Sequence, residues 1–94
     1  MKKLDPIKPG EILEEEFLKG FGITAYRLSK ATGISATRIS EIIKGKRKIT
    51  VETALKLSRY FSNSAEFWLG IQNDYDLRIE KQRLEKELEA IVHI

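Results

Sequence analysis

The chain of 94 residues contains no cysteine and a single histidine. Without thiols there is neither disulfide nor thiolate chemistry, and His93 is the penultimate residue, where chains usually fray. A metal site built from His and Cys is excluded. No run of about eighteen apolar residues is present to span a bilayer, and no charged-then-apolar leader precedes a small-residue cleavage site. The expected setting is the cytoplasm, with no membrane partner. Also missing are a glycine-rich phosphate loop and any His, Cys or paired carboxylates placed to poise one another, so no enzymatic activity and no cofactor are expected. Period-two alternation bounded by turn residues, which would mark strands, occurs nowhere.

What the chain does have is charge, unevenly placed. Residues 22–50 carry seven basic side chains (Arg27, Lys30, Arg38, Lys44, Lys46, Arg47 and Lys48) against Glu41 alone, a local charge of +6 in a chain whose net charge is +3. The rest of the chain is slightly acidic. A concentrated basic segment in such a background is the electrostatic footprint of nucleic-acid binding.

Every long periodic segment has helical spacing, so the fold class is all-α, on a scale that suits one small domain. A first helix is expected after Pro9, ending near Gly20 and Gly22, with Ile12, Leu13, Phe17 and Leu18 inward and Glu11, Glu14, Glu15 and Glu16 outward. Thr24 caps a second, Ala25–Thr32, whose Leu28 and Ala31 face inward and which Gly33 stops. Ser35 caps a third over residues 36–44, stopped by Gly45. Thr50 caps a fourth, Val51–Phe61, whose buried face is drawn from Val51, Ala54, Leu55, Leu57, Ser58 and Phe61. Ser64 caps a fifth with Phe67, Trp68, Ile71 and Tyr75 on one face. Residues 76–94 form a charged helical extension in which Leu77, Leu84, Leu88 and Ile91 make a seam interrupted at Lys81. The expected division is a DNA-binding domain over 1–75 and the extension over 76–94, packed on the same unit or against a dimer mate or partner.

Within this plan, "AYRLSKATGISATRISEIIKG" (25–45) has the layout of a helix-turn-helix. Gly33 supplies the positive φ of a tight turn, and Ile34 and Ile39 anchor the second helix from below. Its outer face holds Ser35, Thr37, Arg38, Ser40 and Glu41, a set suited to the major groove. Arg38 is the first candidate for base readout, since Arg paired bidentately with guanine is the commonest specific contact; Thr37, Ser40 and Ser35 follow. Lys44, Lys46, Arg47 and Lys48 are assigned to the DNA backbone, with Thr24 and Arg27 at the start of the preceding helix. Phe67, Trp68, Leu69 and Tyr75 are mainly core, with part of the cluster exposed as a dimer or partner surface. The acidic face of the first helix is either solvated or attractive to a basic partner.

The residues "PGEIL" (9–13), "YRLSKATGIS" (26–35), "RISEIIKGKRKIT" (38–50), "TALKLSRYF" (53–61) and "EFWLGIQNDYDL" (66–77) resemble the HigA antitoxin, or VapI-like, group of Xre/Cro-like helix-turn-helix proteins. Two positions depart from the pattern: Lys8 stands where His commonly precedes Pro-Gly, and Ala65 where the helix often starts with Pro. The resemblance implies a five-helix, lambda repressor-like DNA-binding domain with a C-terminal helical extension. It further implies a homodimer that represses its own operon at an inverted-repeat operator and neutralises a RelE-like (HigB-type) toxin that cuts messenger RNA. A stand-alone Xre-type repressor without a toxin partner is the alternative, and a helical bundle that only binds protein comes after it.

Overall fold

A computed structural model describes residues 6–94, which are all helix, turn and coil. Helix α1 is continuous in three parts: α-helical at Pro9–Ile12, π-helical at Leu13–Leu18 and α-helical again at Lys19–Phe21. Pro9 opens it at a position whose N–H would have no partner in any case. The wider i→i+5 turn brings residues five apart onto one face, and Leu13 and Leu18 are accordingly both buried. There follow α2 (Ala25–Thr32), α3 (Ala36–Ile43), α4 (Val51–Phe61), α5 (Ala65–Arg83) and the short α6 (Glu85–Glu89).

Four of these helices begin on a hydroxyl cap. Thr24, Ser35, Thr50 and Ser64 accept hydrogen bonds from the backbone N–H groups of Arg27, Arg38, Thr53 and Phe67, at 3.1, 3.1, 3.4 and 3.0 Å. Each cap is worth about 1 kcal/mol and fixes where its helix starts. The core beneath them is Leu13, Leu18, Leu28, Ile34, Ile39, Ile42, Ile49, Ala54, Leu57 and Trp68. α2, α3, α4 and α5 each contribute to it, so the helix-turn-helix is seated on the same core as the rest of the chain.

The expected orientations of Ala31, Val51 and Leu55 are corrected. Ala31 is exposed, leaving Leu28 as the residue of α2 that is fully buried. Val51 and Leu55 are exposed because the buried stripe of α4 runs through Thr53, Ala54 and Leu57, and an i,i+4 pair lying beside that stripe turns to solvent. Trp68 is wholly buried, its indole Nε1 donating to Asn63 Oδ1 at 2.8 Å and its ring 4.6 Å from that of Phe17. The indole is thus satisfied and enclosed within one protomer, which removes Trp68 from the surface set.

α5 runs without a break through residues 75 and 76. Of the seam beyond it, Leu77, Leu88 and Ile91 are exposed and Leu84 is half-buried, so the extension projects from the core instead of lying on it.

Candidate nucleic-acid interface

The turn between α2 and α3 is held from several sides. Gly33 sits at φ 77°, in the left-handed region where glycine carries no Cβ penalty, and its N–H donates to the Ser29 carbonyl at 2.9 Å. Thr32 Oγ1 donates to the Leu28 carbonyl at 2.7 Å and accepts from the Ile34 N–H at 3.2 Å, while Ser29 Oγ donates to the Ile34 carbonyl at 2.6 Å. Both polar groups of the Ile34 backbone are satisfied as its side chain enters the core. Ser29 and Thr32 are turn-forming residues that sequence reading passed over; hydroxyls flanking a stop glycine were the available signal.

The far end of α3 is fixed by close approach. A Cβ at Gly10 would run into the Ile42 carbonyl oxygen and lie 2.7 Å from the Ile43 Cα, so α1 crosses α3 with almost no space between backbones. This is the physical meaning of the glycine in "PGEIL": it sets the height of α3 above the core.

On that platform Ser35, Ala36 and Thr37 are exposed at the start of α3, with Arg38 and Ser40 half-exposed beside them. Ser35 Oγ accepts from the Arg38 N–H as the cap, which leaves its own hydroxyl hydrogen to donate. The Arg38 guanidinium is held through Nη1 by Glu52 Oε2 at 3.1 Å, and Lys56 Nζ reaches the same oxygen at 3.1 Å. Hydrogen bonds from Lys56 and then Arg38, with their charges behind them, hold the Glu52 carboxyl below the usual carboxylate range. Glu52 keeps its charge and so its grip on Arg38.

Behind α3, Lys44, Lys46, Arg47 and Lys48 are all exposed. Arg47 pairs with Glu41 through Nε and Nη2, both at 3.1 Å from Oε1, and Lys48 pairs with Asp76 at 3.1 Å. Lys44 and Lys46 have no acidic partner among the described residues. The same holds for Arg27 and Lys30 at the other end, where Lys30 Nζ lies 5.4 Å from the centre of the Tyr26 ring. A concavity lined by Ala36, Thr37, Ser40, Glu41, Lys44 and Lys46 connects the outer edge of α3 with these two lysines.

Besides the Arg47–Glu41 pair, the basic loop is anchored by α5. Buried Gln72 accepts the Ile49 N–H on Oε1 at 2.9 Å and donates from Nε2 to Asp76 Oδ1 at 3.1 Å; Asp76 in turn holds Lys48. Ile49 is buried, so its N–H would otherwise lack a partner. Sequence reading missed Gln72 as a site residue, because an isolated Gln on a helix gives no local sign of what it meets 23 positions earlier. Of the expected dimer or partner surface, Phe67 is exposed, Leu69 and Tyr75 are half-buried, and Trp68 lies inside.

A helix-turn-helix with a polar outer edge, a backbone-locked turn and a basic loop anchored directly behind it defines a DNA-binding domain of the repressor type. Comparison with known proteins agrees: the helix-turn-helix family matches residues 15–68. Virulence-associated protein I of Dichelobacter nodosus is 48% identical over 80 residues, covering 85% of this chain and 74% of that protein. Antitoxin HigA-1 of Vibrio cholerae is 36% identical over 89 residues, covering 95% and 84%. Among solved structures, the Pseudomonas aeruginosa antitoxin HigA with the higBA promoter superposes with a TM-score of 0.87 at 38% identity, covering 94% of this chain and 96% of that one. The antitoxin GraA in complex with its operator gives 0.87 at 33% identity, covering 100% and 96%. The chain belongs to the helix-turn-helix family, in its HigA antitoxin and VapI-like branch.

Proposed function

We propose that the protein is the antitoxin of a type II toxin-antitoxin module: a homodimer that binds an inverted-repeat operator, represses its own operon and neutralises a RelE-like (HigB-type) toxin in the cytoplasm. The proposed activity is binding, not catalysis. The observation that carries it is the solvent-accessible edge of α3 over Ser35, Thr37, Arg38 and Ser40, with exposed Lys44 and Lys46 directly behind. A two-fold axis would place two such edges in successive major grooves about 34 Å apart, so half-sites are expected about ten base pairs apart, centre to centre. Arg38, Thr37, Ser40 and Ser35 read bases; Lys44, Lys46, Arg47 and Lys48, with Thr24 and Arg27, meet phosphates. The likeness to an antitoxin HigA solved with its promoter supports this reading.

The toxin half rests on family membership and on the acidic outer face of α1, where Glu11, Glu15 and Glu16 are exposed and Glu14 is half-exposed. Phe67, Leu69 and Tyr75 remain the proposed dimer or partner surface, and the seam of Leu77, Leu84, Leu88 and Ile91 extends it. Whether the gene has a toxin neighbour separates this reading from a stand-alone Xre-type repressor. The test is a gel shift with the protein's own upstream region, paired with co-expression alongside the adjacent small basic reading frame. A specific shift and co-purification are expected. A shift without a copurifying toxin leaves the stand-alone repressor, and no shift at all defeats the DNA reading.

A further inference from the structure

Glu52 lies on α4, outside the helix-turn-helix, yet its carboxylate is within 3.1 Å of the Arg38 guanidinium. The pair is only partly shielded, with side-chain exposures of 36% for Arg38 and 62% for Glu52, so both groups are accessible from solvent. Contact is made through Nη1 of Arg38. Nε and Nη2, the parallel two-donor edge of the guanidinium, make no hydrogen bond among the described residues. That edge is the fork that matches O6 and N7 of guanine. Glu52 is itself fixed: it lies in the first turn of α4, where negative charge is favoured, and Lys56 one turn on grips the same carboxylate oxygen.

We propose that Glu52 is the positioning residue for base readout: it orients Arg38 so that the Nε and Nη2 edge is presented to the groove, and it keeps the arginine from swinging to a phosphate. The proposal rests on Arg38 being the reading residue. A long arginine free to rotate meets the nearest phosphate oxygen as readily as a base, and a phosphate contact carries no sequence information. A carboxylate on Nη1 removes that freedom before DNA arrives, so less rotamer entropy is lost on contact with guanine. The same carboxylate repels the phosphate backbone, which lowers affinity for every sequence. Glu52 thus trades general affinity for discrimination.

This trade gives a signature that a merely structural residue cannot produce. The experiment compares the full-length chain with Glu52→Gln, Arg38→Ala and the double variant. The probes are a duplex selected by the wild-type chain from a randomised pool, the same duplex with single base pairs exchanged, and a scrambled duplex. Glu52→Gln is expected to bind the scrambled duplex more tightly while its preference for the selected over the exchanged duplex falls on the order of five- to tenfold, the lower part of what a bidentate pair contributes. In the Arg38→Ala background the same substitution should leave the preference unchanged. Should Arg38→Ala lose preference and Glu52→Gln keep it, the positioning role is overturned while the Arg38 reading stands. Should Arg38→Ala keep the full preference, the reading falls and the positioning role with it. A parallel loss of affinity for all duplexes in Glu52→Gln would reduce Glu52 to helix stability and overturn the proposal.

Discussion

The outer edge of α3 and the basic loop behind it carry charge of the same sign, yet they are held differently. At the edge the side chain is fixed: Arg38 is gripped by Glu52 from the next helix. In the loop the backbone is fixed, by Gln72 on the Ile49 N–H; Arg47 and Lys48 pair with Glu41 and Asp76, while Lys44 and Lys46 have no acidic partner among the described residues. Base readout needs a donor pair at one place and angle, whereas a phosphate needs only a cation within reach. Under the proposed roles, the two tasks are separated along one short segment: a paired arginine for base readout, and for phosphates a loop anchored through its backbone, two of whose four cations are paired with Glu41 and Asp76.

The comparison breaks most severely at its shared foundation. Gly10→Ala is expected to cost about 3 kcal/mol, the upper part of the usual overpacking range, because the added methyl meets backbone that cannot turn aside. Urea denaturation would register it, and DNA binding should weaken for all sequences alike. Next in size is Arg38→Ala, which should remove about 2 kcal/mol of preference at one base position and leave folding unaffected, read by competition between exchanged duplexes. Gln72→Leu acts on the other member of the comparison. It strands the Ile49 N–H and frees Asp76, costing about 1.5 kcal/mol, a fall in Tm of roughly 6–12 °C for a domain of this size. Base preference should survive that change. The smallest effect on affinity at moderate salt is expected from Lys44→Ala with Lys46→Ala. Affinity should drop equally for selected and scrambled duplexes, and the slope of log K against log salt should flatten by about 1.8, the release from two phosphates.

How much of this was legible in the sequence follows from the range of the interactions. Thr24, Ser35, Thr50 and Ser64 were readable as caps because a cap acts on an N–H three residues away, and each one forms. The basic loop and the polar edge were equally readable, since both are local patterns of residue type. What escaped lies across the fold. Glu52 meets Arg38 from 14 positions away, Gln72 meets Ile49 from 23, and Gly10 is required by the backbone of Ile42. Helical spacing gives the period of a face but not its phase against a neighbour, which is why Ala31, Val51 and Leu55 turned out exposed. Trp68 was ambiguous for another reason. An indole suits a core or an interface equally well, and only the presence of Asn63 as acceptor decides between them.

The central claim is that DNA is met by α3 and the loop behind it. The most direct test is amide NMR of the isotope-labelled full-length chain, titrated with a duplex that the chain itself selects from a randomised pool. Large shifts are expected at Ser35, Thr37, Arg38 and Ser40 and along residues 44–48, with the acidic face at Glu14, Glu15 and Glu16 nearly silent. Shifts concentrated on that acidic face or on the aromatic end at Phe21 and Phe67, with α3 unmoved, would contradict it.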